Sequence, residues 1–147
     1  MSYKKDGYEI IKGAVSFELA NFIFNYFLLK KESVQWLMKN HPKVSDEGSH
    51  KSLHGTWYDG QVPNTYSMYA DHTAETLLMK LLPVMEEATG LTLTPCYSYA
   101  RLYKHGDILK KHIDRPSCEV STTLYIGGDN WDIYLEGKPI NLKIGDM

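Results

Sequence analysis

Residues 97–103 read YSYARLY, and their alternation sets the fold class. On a strand, Tyr97, Tyr99, Arg101 and Tyr103 take one face while Ser98, Ala100 and Leu102 take the other. Small residues behind and large polar-aromatic residues in front predict a strand covered by helices at its back and facing a cavity at its front. This stretch is also where the apolar period changes. Before Gly90 it is helical; after it, runs of two-residue period are separated by turn signals at 105–107, 115–117, 127–130, 136–139 and 145–146.

Upstream lie two helices. Ser16 can cap the first, over 16–40, in which Ala20, Ile23, Phe24, Phe27 and Leu28 recur on one face, with fraying expected near its middle. Asp71 can cap the second, about 72–88, whose apolar face is Leu77, Leu81, Val84, Met85 and Ala88 and whose stop is Gly90. Pro83 predicts a kink in this helix or its division in two. Between the helices, residues 41–65 carry three histidines and many turn formers. His50 and His54 stand four apart, as helical metal ligands do, but glycines flank them and no cysteine or carboxylate pattern completes a site. A solvated loop or a lid on the substrate side is the expectation there. Trp57, Tyr58 and Tyr66 either wall its entrance or anchor the loop on the core.

The chain has 147 residues, 43% hydrophobic and 23% charged. That is the size and composition of one globular domain able to bury a core. A formal charge of -2 supplies no global field for nucleic acid and weighs against it as a partner. Cys96 and Cys118 are the only cysteines, so neither a disulfide framework nor a zinc CxxC pair can be read, and a reducing cytoplasm is expected. The N-terminus lacks the apolar core of a signal peptide, and no apolar run reaches bilayer length, so no membrane partner is expected. Oligomeric state leaves no signature.

Two helices followed by many short strands predict an α+β chain in which an antiparallel sandwich or barrel is buttressed by helices. Residues 1–147 read as one domain: 1–90 is mainly helical support with loop 41–65, and 91–147 is the strand-rich core. Within that core, KKHIDRPS at 110–117 puts His112 and Asp114 two positions apart. On a strand they point to one spot, which gives two thirds of the facial triad of non-haem Fe(II) oxygenases. A His-x-Asp pair alone is equally a surface feature.

The longer stretch LYKHGDILKKHIDRPSCEVSTTLYIG, residues 102–127, resembles the core of 2-oxoglutarate and Fe(II)-dependent oxygenases, in particular their prolyl 4-hydroxylase-like branch. The matching elements are Tyr103-x-x-Gly106, His112-x-Asp114 and the Ser/Thr-rich alternating run ending at Tyr125. YEIIKGAVSFELANFIFNYF, residues 8–27, is similar to the opening segment of the group. The resemblance implies a cupin-like double-stranded β-helix, or jelly-roll, of which 91–147 is the N-terminal part. It implies that His112 and Asp114 are the catalytic metal ligands and that Tyr103 helps bind 2-oxoglutarate. Ser121, Thr123 and Tyr125 share a face and offer hydroxyl donors to the same anionic cosubstrate. Arg101 shares the Tyr103 face and either binds a carboxylate or faces outward; Arg115 either orients Asp114 or faces solvent. The cofactors implied are Fe(II), 2-oxoglutarate and molecular oxygen, with ascorbate as reductant. The reaction implied is hydroxylation of an unactivated C–H bond of a peptidyl, prolyl or small-molecule substrate, with release of succinate and CO2.

In that family a second iron-ligating histidine and a basic residue that pairs with 2-oxoglutarate follow a strand resembling INLKIGDM, which here occupies 140–147. No histidine follows Asp114. The expectation is therefore that the biological chain continues past Met147 and that the C-terminal strands lie outside this sequence. The alternative is a non-catalytic or truncated jelly-roll binding module. A nucleic-acid demethylase of the same superfamily is a third reading, which the near-neutral charge disfavours.

Overall fold

The computed structural model describes residues 2–41 and 53–147. It is an α+β arrangement of three helices, α1 (Tyr3–Asp6), α2 (Phe17–Asn40) and α3 (His72–Thr89), with four short strands, β1 (Tyr66–Tyr69), β2 (Tyr99–Leu102), β3 (Ile133–Leu135) and β4 (Lys138–Ile140). The strands form two antiparallel pairs, β1 with β2 and β3 with β4. No jelly-roll is seen among the described residues, and none of their helices is long and apolar enough to cross a membrane.

The helices begin and end where their side chains allow. Leu19 N–H donates to Ser16 Oγ at 3.1 Å and Thr73 N–H to Asp71 Oδ1 at 2.9 Å, so each cap satisfies a backbone donor that its helix leaves orphaned. α2 is continuous through its middle, and it buries Ala20, Ile23, Phe27 and Val34. α3 runs through Pro83 without dividing. The proline deletes one bond, to the Met79 carbonyl, and both residues lie on the exposed side, where water replaces the missing donor. Gly90, at φ 70°, ends the helix with its N–H on the Glu86 carbonyl at 2.8 Å.

The chain divides into two units, each drawing on both the 1–90 and the 91–147 halves. One comprises Tyr26–Lys80 and Pro95–Glu119. In it β1 and β2 pair from Tyr66↔Leu102 to Tyr69↔Tyr99, and Thr56 exchanges two 2.8 Å backbone bonds with Ser67, extending the ladder into the segment read as loop. Ser98, on the small-residue back of β2, donates through both N–H and Oγ to Glu75 of α3 at 2.6 Å. These bonds tie the residue before β2 to α3.

The other unit comprises Met1–Asn25, Leu81–Thr94 and Val120–Met147. Its β3–β4 hairpin turns at Glu136 and Gly137, with φ of 48° and 79°, the pairing of positive dihedrals that suits strand twist. Residues 145–147 lie between two neighbours. Ile11 and Met147 exchange backbone bonds, Val15 N–H donates to Gly145 O, and Tyr125 is joined to Gly145 and Asp146. Asp146 accepts from Lys12 Nζ at 2.8 Å, Gly13 N–H at 2.9 Å and Lys143 N–H at 3.0 Å. The Lys12 bond leads in holding its carboxyl down to about 2.

Two strand expectations are corrected. Residues 110–117 form no strand: there is a bend at Lys111 and a turn at 116–117, and among the described residues they pair with no strand. Pro116 has no N–H to give a ladder and forces Arg115 to stay extended, so the segment ends in the turn closed by Cys118 N–H on Arg115 O at 2.8 Å. Residues 121–125 also form no strand; Tyr125 is bonded through its backbone to Gly145 and Asp146.

Candidate functional site

His112 and Asp114 converge although no strand aligns them. His112 Nε2 lies 3.4 Å from Asp114 Oδ1, both side chains being partly open to solvent. His112 Nδ1 lies 2.9 Å from the Lys110 carbonyl oxygen. A carbonyl only accepts, so Nδ1 carries the proton of this bond and Nε2 is the ring nitrogen that faces the carboxylate of Asp114. The spacing accommodates a proton or a cation between the two. Ile113, between them in sequence, is 95% exposed, so it turns outward as the flanking pair turns together. The donor set suits a divalent transition metal, and it supplies two ligands. Among the described residues no cluster of three or more His, Cys, Asp or Glu side chains completes such a site.

The same unit holds a network that sequence reasoning missed. Arg101 grips Asp59 through Nε at 2.5 Å and Nη2 at 3.3 Å, and Nη2 also donates to Gln61 Oε1. Its Nη1 donates to the Tyr103 hydroxyl at 3.4 Å, and its guanidinium covers the Tyr99 ring at 4.7 Å. Tyr99 in turn donates to Asp59 Oδ2 at 2.9 Å. The front face expected for Tyr99, Arg101 and Tyr103 is real, but the turn at 59–61 covers it in place of an open cavity. Burial alone would raise the Asp59 carboxyl; Arg101, the Gln61 and Val62 amides and Tyr99 outweigh it and hold the group at about 2. The carboxylate that Arg101 meets is therefore one of the chain's own. A strand arginine on an aromatic face calls for an anion, but nothing in the sequence singles out Asp59, 42 positions away, as that anion.

Thr123 and Tyr125 belong to the other unit. Thr123 is exposed, and the Tyr125 hydroxyl lies 2.8 Å from Gly128 O and 2.7 Å from Asp129 O. Burial, and then Asp129, raise its phenol. Arg115 is exposed, with its guanidinium 6.0 Å from the Tyr97 ring centroid.

Of the aromatic wall, Tyr66 is a core residue of β1, 1% exposed, with its ring 4.5 Å from Trp57 and its hydroxyl donating to the His54 carbonyl at 2.5 Å. Trp57 and Tyr66 thus anchor the segment, while Tyr58 is exposed. His50 lies outside the described residues. A second polar group lines an open cleft of about 440 Å³. There the buried Asp71 accepts from Tyr26 at 3.1 Å and from Lys30. Burial pushes Asp71 up, and the bond and charge of Lys30 more than reverse it. Sequence reading gave Asp71 only its capping role.

No family model matches this chain, and neither does any curated protein or solved structure.

Proposed function

We propose that this chain belongs to the 2-oxoglutarate and Fe(II)-dependent dioxygenases of the prolyl 4-hydroxylase-like kind, with His112 and Asp114 as iron ligands. The observation that carries the reading is the convergence of His112 Nε2 and Asp114 Oδ1 at 3.4 Å, with Nδ1 pinned by Lys110 O. The Lys110 carbonyl orients the ring through Nδ1, so that Nε2 is the ring atom turned toward the proposed metal. Held by these residues, Fe(II) with 2-oxoglutarate and oxygen would supply hydroxylation of an unactivated C–H bond, with 2-oxoglutarate leaving as succinate and CO2, and ascorbate would serve as reductant.

The chain's own residues hold and orient the reactants. In this proposal the Tyr103 hydroxyl, in the same unit as the metal ligands, contacts 2-oxoglutarate. Arg101, committed to Asp59, acts by donating to Tyr103 and fixing its hydroxyl. The jelly-roll fold, a peptidyl, prolyl or small-molecule substrate and a cytoplasmic setting complete the proposal. Supporting the last is that neither cysteine is in a disulfide.

The experiment is 2-oxoglutarate-dependent succinate release by the full natural protein, with and without Fe(II). Turnover that His112→Ala and Asp114→Ala both abolish supports the assignment, and turnover surviving either substitution ends it. A second reading, a non-catalytic binding module, is favoured by one observation: the described residues supply two metal ligands and no cluster of three.

A further inference from the structure

We propose that Cys96 and Cys118 are a peroxide-responsive thiol pair that closes to an intramolecular disulfide, independently of the oxygenase reading. Each thiol touches the residue next to the other cysteine in the chain. Cys96 Sγ donates to the Ser117 carbonyl at 2.9 Å, and Cys118 Sγ lies 3.3 Å from the Tyr97 hydroxyl. The two segments are laced reciprocally, with both cysteines in one unit. The Arg115–Cys118 turn, closed by its 2.8 Å backbone bond, presents Cys118 toward the start of β2. Since the Ser117 carbonyl carbon is bonded to the Cys118 nitrogen, a thiol in contact with that carbonyl is a close neighbour of Cys118, and nearness of this kind is the first condition for a disulfide.

Access orders the steps. Cys96 is exposed and Cys118 half-buried, so Cys96 meets a hydroperoxide first. Its thiolate attacks one peroxide oxygen and the O–O bond breaks. That oxygen stays on sulfur as a sulfenic acid, and the other leaves as water carrying the thiol proton. The Cys118 thiolate then attacks the sulfenic sulfur, the S–S bond forms, and the sulfenic oxygen leaves as a second water with the Cys118 proton. Two thiols lose two electrons and two protons, and one peroxide becomes two waters. The bridge would tie the turn that follows Asp114 to the strand that carries Arg101 and Tyr103.

The test treats the native protein with hydrogen peroxide, blocks residual thiols with an alkylating agent and reads intact mass. The expected result is a loss of about 2 Da that thiol reductant reverses. A non-reduced digest should contain one cross-linked peptide joining Cys96 to Cys118, and neither Cys96→Ser nor Cys118→Ser should form it. The cross-link should form faster in the native protein than in denaturant. Both thiols remaining open to alkylation would overturn the proposal, as would oxygen added to sulfur with no cross-link. So would a bridge formed only between two molecules, or at the same rate in the unfolded chain.

Discussion

Arg101 and Asp59 form a forked ion pair in which the carboxylate side chain is 1% exposed and the guanidinium 13%. Removing one partner leaves the other buried without its counter-charge. Asp59→Ala or Arg101→Ala should therefore cost about 3–5 kcal/mol, read by chemical denaturation. The same substitutions should release Tyr103, whose hydroxyl Arg101 holds, and a tyrosine fluorescence or NMR shift should report it. A loss of well under 1 kcal/mol would show the pair to be solvent-screened.

The same pair dictates a pH response. The Asp59 and Asp146 carboxyls sit at about 2 in the folded chain against an ordinary 3.8, and Asp71 is also lowered. A carboxyl depressed by folding stabilises above its unfolded value and loses that contribution as pH falls through its folded one. Stability should be flat above about pH 5 and fall between about pH 4 and 2. Asp59→Asn should remove part of that slope while lowering the plateau. Denaturation midpoints measured at several pH values check both.

Pro83 occupies the interior of α3 on an exposed position. Pro83→Ala restores a backbone donor and removes the ring's clash with the preceding turn, so it should stabilise the protein by about 1–3 kcal/mol, less the entropy returned to the unfolded chain. A thermal melt should move upward. A fall would mean that the helix depends on the kink.

Gly145 stands at φ 91°, and a side-chain carbon there would run into the Val15 carbonyl oxygen. Gly145→Ala should destabilise the unit by more than about 1 kcal/mol, since both the dihedral and the contact oppose it. The Val15–Gly145 and Ile11–Met147 bonds should lose hydrogen-exchange protection first.

What the residues disclosed in advance was local. α2 and α3 could be read with their caps because Ser16, Asp71 and Gly90 act within a few positions of themselves. The face shared by Tyr99, Arg101 and Tyr103 follows from the two-residue period of a strand. β1 was hidden: Tyr66, Ser67 and Met68 are all buried, so no polar alternation marks them, and their partners Thr56 and Ala100–Leu102 are remote in sequence. The strand expected at 110–117 failed because Pro116 outweighed the apparent alternation. His112 and Asp114 nevertheless approach to 3.4 Å without a strand to align them. Asp59 was unreadable as the anion of Arg101, since the two meet only through the fold.

The central claim is that His112 and Asp114 hold a divalent metal. The direct measurement is an anaerobic thermal-shift titration of the full natural protein with Fe(II), or with Mn(II) as a redox-stable substitute, in the presence of 2-oxoglutarate. A ligand that binds only the folded state raises its melting temperature. The account predicts a rise that needs both metal and 2-oxoglutarate for its full size and that vanishes in His112→Ala and in Asp114→Ala. An unchanged melting temperature in the natural protein, or an equal rise in both variants, would contradict it.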